Sequence, residues 1–153
     1  MEPILYRATF SAGEYAAIRR GLVPEEMEDK WFILCEDDVL YLHRTWTGHC
    51  VYRVIFRPLH DAYEVHEAYV STDERFYRRG NDDHEVRLVD FLIRTLLLDE
   101  VIQFPFPARI GRWGRGLYRY RVAGNVFTAD DVAEQRRFLA PTWRLLRRWF
   151  AGS

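Results

Sequence analysis

Lysine is almost missing from this chain: Lys30 is the only one among 22 cationic residues, the rest being arginine. Such a bias fits a G+C-rich bacterial genome, and a single ammonium kept at Lys30 stands out against it. Cysteine is scarce as well. Cys35 and Cys50 are too few for a disulfide scaffold, lack metal-ligand spacing, and lie in strand-like runs where a thiol is a small apolar filler. No apolar run is long enough to span a membrane, and the start Met-Glu-Pro-Ile-Leu-Tyr-Arg has no charged leader region, so a cytoplasmic location is expected. Walker loops, dinucleotide fingerprints and nucleophile motifs are absent. His43, His49, His60, His66 and His84 show no zinc spacing, so neither a metal nor another cofactor is expected.

What remains is an ordinary globule with an aromatic surplus. At 153 residues, 48% hydrophobic and 29% charged, the chain suits one domain over residues 1–153 with a real core. Its aromatic content of 16% serves that core first and a binding surface second. The net charge of −1 conceals a division: residues 1–100 sum to −8 and residues 101–153 to +7. Two parts packed together with complementary surfaces would explain it. An anionic partner would explain it too, although the scarcity of lysine and the pI near 6.5 count against nonspecific nucleic-acid binding.

Element signals run along the whole chain. Ile4–Phe10 alternates like a strand, and Ser11 with Glu14 forms a capping box for a helix to Arg20 that ends at Gly21. A meander of Trp31–Cys35, Val39–Trp46 and His49–Arg57 turns at Glu36-Asp37-Asp38 and at Thr47-Gly48. A two-residue loop at Thr47-Gly48 would pair Arg44 with Val51 and Leu42 with Arg53. Val39, Tyr41 and His43 would then face the core with Tyr52, Val54 and Phe56, leaving Arg44, Trp46 and Arg53 at an open end of the other face. Tyr63–Val70 reads as a further strand, residues 73–81 as a loop, and Asp82–Leu98 as an amphipathic helix. Phe104–Pro107 must be extended, Gly111–Gly116 reads as a loop, and Leu117–Val122 reads as a strand. Thr128 caps a last helix that Pro141 interrupts before Trp143–Phe150, a basic amphipathic stretch expected to pack on the core. The fold class predicted is α+β, an antiparallel sheet of four to six strands with three helices.

Chemistry concentrates between Met27 and Phe56. Arg44 and Arg53 as diagonal neighbours beside Trp46, with Lys30 close by, would suit a phosphate or carboxylate that carries a flat ring. His43 and Asp29 are the candidate acid–base groups if the protein is an enzyme. Each of these residues also has a plain structural use, in ion pairs, at a strand start or in the core. Arg119 and Arg121 would share one face of the strand after the glycine–arginine stretch.

The segment Met27-Glu28-Asp29-Lys30-Trp31-Phe32, followed by His43-Arg44-Thr45-Trp46-Thr47-Gly48, resembles small uncharacterised bacterial proteins with an MEDKWF…HR[S/T]WTG signature. Similar segments accompany ADP-ribosylglycohydrolase-like proteins. The resemblance spans about thirty residues; it implies a bacterial origin and ties Lys30, His43, Arg44, Trp46 and Gly48 into one unit. The function expected first is a non-catalytic binding module for an anionic, nucleotide-like ligand or an acidic protein partner. A small hydrolase or transferase acting on a nucleotide or ADP-ribose-type substrate is the alternative, and an immunity or antitoxin-like protein that occludes a partner is the third.

Overall fold

Residues 1–134 are those described in the computed structural model of the chain. The predicted interruption at Pro141 and the apolar positions Phe138, Leu139, Trp143, Leu146 and Phe150 lie outside them. The chain opens with two short strands, β1 (Glu2–Ile4) and β2 (Thr9–Ser11), in place of one continuous strand over Ile4–Phe10. Ser11 then starts α1 (Ala12–Arg20) through the expected capping box, and Gly21 closes it with its amide on the Ile18 carbonyl.

The meander follows as β3 (Trp31–Glu36), β4 (Val39–Arg44), β5 (Cys50–Leu59) and β6 (Ala62–Val70). Asp37 and Asp38 make the β3–β4 turn with both residues at positive φ, as a two-residue hairpin of type I′ requires. The sheet is six-stranded and antiparallel, in the order β1-β6-β5-β4-β3, with β2 also pairing β6. At the free side of β3, Leu22 exchanges both backbone hydrogen bonds with Ile33, at 2.8 and 2.9 Å. Asn81 caps α2 (Asp82–Leu92), which widens into a π-helical turn at Ile93–Leu97. After the extended Phe104–Pro107 stretch, a 3₁₀ turn at Arg112–Gly114 leads into α3 (Arg115–Ala123). Thr128 then begins a further helical segment, its amide and hydroxyl both donating to Asp131. The architecture is α+β.

Two expectations are overturned. The β4–β5 connection is not a two-residue loop: Arg44 N bonds His49 O and Gly48 N bonds Arg44 O, so four residues, Thr45–Gly48, form the loop. Beyond a bulge at Leu42/His43 the register is Leu42 with Tyr52 and Tyr41 with Arg53. That slip turns β4 over, because side chains alternate with period two. Leu40 and Leu42 are fully buried beside Tyr52 and Val54, whereas Tyr41 and His43 lie on the outer face. Each buried leucine contributes roughly 1.5–3 kcal/mol, so the core selects this face.

Second, Leu117–Val122 is helical. The described residues of the basic part do pack on the remainder, Phe104 and Ala123 joining the same core as the sheet, but no ion pair among the described residues crosses from residues 1–100 to them. The two parts are held by apolar packing and by backbone capping.

Candidate functional site: an arginine-lined cleft

α3 has no side-chain N-cap and no acidic residue in its first turn, so its hold on the sheet comes from its other end. There the Trp31 indole donates to the Val122 carbonyl at 2.7 Å. Arg44 donates to the same carbonyl at 2.8 Å and to that of Arg121 at 2.7 Å. The Arg44 guanidinium also lies on the Trp31 ring, 4.9 Å from its centre. A cation over the last carbonyls of a helix answers both their unmet acceptors and the negative end of the dipole.

Docked in this way, α3 and the stretch before it stand opposite the N-terminal half of α2 and the loop preceding it. A cleft of about 1100 Å³ opens between them. Its lining includes Arg44, Arg78, Arg79, Arg87, Arg109 and Arg121, and only two carboxylates, Asp83 and Glu85. Asp83 is paired with Arg87, and Arg79 bridges Glu2 and Asp82. Among the described residues Arg78, Arg109 and Arg121 have no carboxylate partner. Burial, and to a smaller degree the neighbouring charge of Arg121, push the Arg44 pKa down.

Beneath the cleft lies a buried polar cluster. Glu85 is wholly buried and accepts from the Tyr52 hydroxyl, the Tyr77 hydroxyl at 2.8 Å and the Gly80 amide. Burial, reinforced by the Glu85 charge, raises the pKa of both phenols and keeps them as donors. Gly80 fits because a Cβ there would come within 2.8 Å of the His84 ring. His84 bridges the walls, its Nε2 standing 3.3 Å from the Tyr118 hydroxyl, and burial lowers its pKa. Phe76, at the mouth, stacks on His49 at 5.0 Å, and His49 bonds Ser71 Oγ at 2.7 Å.

The structure separates the residues singled out from the sequence. Arg44 reaches the cleft but is engaged in holding α3. Arg53 is on the opposite face of the sheet, lying 4.6 Å over the Tyr69 ring, so it shares no site with Arg44. Lys30 and Trp46 do come together: the Lys30 ammonium is 5.6 Å from the Trp46 ring and 4.8 Å from that of Tyr120. His43 sits on the outer face between Phe32 and Tyr41, its pKa lowered by burial. Asp29 accepts the amides of Glu25 and Glu26, and those bonds hold its carboxyl below the usual range. No hydrogen bond or ring contact among the described residues joins His43 to Asp29.

Arg78, Arg109, His84, Glu85 and the two phenols are the additions, and Arg121 comes to the cleft from a helix instead of the expected strand. One signal for them was present: Glu85 falls on the same helical stripe as Leu88, Val89 and Leu92, where a carboxylate must be satisfied by buried donors. No family model matches the chain, and neither a curated protein nor a solved structure does. The functional reading therefore rests on the geometry.

Proposed function

We propose that the protein is a non-catalytic binding module that takes an anionic, nucleotide-like ligand in the cleft between α2 and α3. The observation that carries this reading is that three of the six lining arginines, Arg78, Arg109 and Arg121, have no carboxylate partner among the described residues, while the two lining carboxylates are already engaged. Guanidiniums gathered without counter-ions repel one another, and an anion bound among them removes that cost while forming bidentate hydrogen bonds. Phe76 and Tyr118 supply flat surfaces on which a base could stack. A bacterial, cytoplasmic protein fits the signature and the two unpaired thiols, whose pKa values burial raises.

Thermal shift with inorganic phosphate, ATP, ADP-ribose and adenosine tests the reading. Phosphate-bearing ligands should raise the Tm, by mass action worth about 2.7 kcal/mol at a hundredfold excess over Kd, and adenosine should not. The rise should shrink with salt and vanish in Arg109→Ala/Arg121→Ala, whose own Tm should stay near that of the parent. An equal response in that variant, or none in the parent, overturns the cleft as the site. Breakdown of the added nucleotide would transfer the protein to the hydrolase class.

A further inference from the structure

Beside the cleft, the 3₁₀ turn and α3 together carry an apolar stripe that stays exposed among the described residues. Trp113 is fully exposed, Leu117 is 65% exposed and Tyr120 39% exposed, and the spacing of four and then three residues places them in one row. Trp46, 72% exposed, prolongs the row beyond Tyr120, held there by the Lys30 ammonium lying between the two rings. Contiguous exposed apolar surface of this kind on a folded domain marks an interaction site more often than isolated exposed residues do.

The charge around the stripe indicates what could cover it. Residues 101–129 contain five arginines and no acidic residue. Arg112 and Arg121 flank the row as exposed side chains, and Lys30 lies within it. Asp29, the carboxylate nearest in sequence to Lys30, is turned onto the Glu25 and Glu26 amides. Residues 135–153 of the sequence carry five more arginines and no acidic side chain, so their charge does not complement this surface.

We propose that the exposed stripe of the 3₁₀ turn and α3, extended by Trp46, docks an acidic amphipathic helix of another protein. Apolar anchors of such a helix would lie along Trp113, Leu117, Tyr120 and Trp46, and its carboxylates would meet the flanking arginines. The surface is separate from the nucleotide-like site: Trp113, Tyr120 and Trp46 do not line the cleft, and only Leu117 and Arg121 stand on the shared rim.

A displayed library of helical 20-residue peptides with both faces randomised, panned against the full chain, tests the proposal. Enrichment of acidic peptides with apolar residues at helical spacing is the expected result. Trp113→Ser/Tyr120→Ser should weaken the selected peptides by about tenfold or more, while its Tm stays within about 1 °C of the parent. Four results would overturn the proposal. They are no enrichment, enrichment of neutral or basic peptides, peptides held equally by the double variant, and a Tm loss of several degrees in it, which would mean that the stripe is packed within its own chain. Sedimentation at rising protein concentration adds a fifth arm: self-association abolished by the same substitutions would assign the face to a second copy of the chain instead.

Discussion

Truncating Arg44 removes two hydrogen bonds to the carbonyls of Arg121 and Val122 and the cation that lies on Trp31. Bonds from a charged donor are worth about 1.5–3 kcal/mol, so Arg44→Ala should lower stability by about 2–3 kcal/mol. At this chain length that is a Tm loss of roughly 5–10 °C, measurable by calorimetry. Arg44→Lys should recover little, because an ammonium cannot span two carbonyls and stack on an indole at once. An Arg44→Ala protein with the parent's Tm would return Arg44 to the role of a free ligand-binding cation. The arginine was visible in the sequence as a chemically capable residue. Its target was not, since the carbonyls it caps lie some 78 positions away.

At the scale of elements, legibility follows the range of the forces involved. The Ser11–Glu14 capping box, the Gly21 stop and the Asp37-Asp38 turn are settled within a few residues, and each could be read directly, whereas the Asp82–Glu85 spacing places the cap of α2 one residue past Asn81, which provides it. α3 is the opposite case. Leu117-Tyr118-Arg119-Tyr120-Arg121-Val122 alternates like a strand, yet it is the pair Tyr118 and Val122, one helical turn apart, that packs against the core. The decisive contributions come from Trp31 and Arg44 at the helix end and from Gly124 just beyond it. Gly124 has φ +78°, and a Cβ there would stand 2.7 Å from the Glu28 carbonyl oxygen. Gly124→Ala should therefore cost about 1–2 kcal/mol for the left-handed backbone alone, plus the displacement of α3 from the Glu28 turn. Urea unfolding should register that loss, and amides of α3 should exchange faster than those of β5. Unchanged stability would show that the helix end is not pinned here. The β4 face was lost for a related reason: two additional loop residues and a bulge are tertiary choices, made so that Leu40 and Leu42 can be buried.

For the molecule as a whole, pH is the most direct probe of what the core encloses. Burial depresses the pKa of both His43, on the sheet, and His84, on α2, below the ordinary value of 6.5. Above 6.5 neither the folded nor the unfolded chain holds these protons, and the stability contribution is complete. As the pH falls below 6.5 the unfolded chain takes up protons first, so stability declines until the lower folded values have been passed. Urea denaturation at intervals from neutral to mildly acid pH should show that decline. His84→Gln should flatten the slope even though its absolute stability also changes. A stability that rises with acidification through this range would contradict the assignment. The charge division between residues 1–100 and the remainder was plain in the sequence, but among the described residues no ion pair stitches the two parts together. The described arginines of residues 101–134, Arg119 apart, face the cleft or the solvent, where they are available to a ligand.

Leu22, a single residue outside any strand, has a consequence for how this protein behaves among its own copies. A sheet edge is a row of unspent donors and acceptors, and a six-residue strand such as β3 could accept a foreign strand along its length. By taking both the amide and the carbonyl of Ile33, Leu22 occupies the middle of that row. What remains on either side is too short to template an added strand. The opposite margin is divided into β1 and β2, with residues 5–8 between them unpaired as strand. Neither margin offers a continuous ladder, so growth of the sheet from one molecule to the next is blocked by the backbone itself, leaving the surface arginines and aromatics free to be shaped by recognition rather than by the need to stay apart.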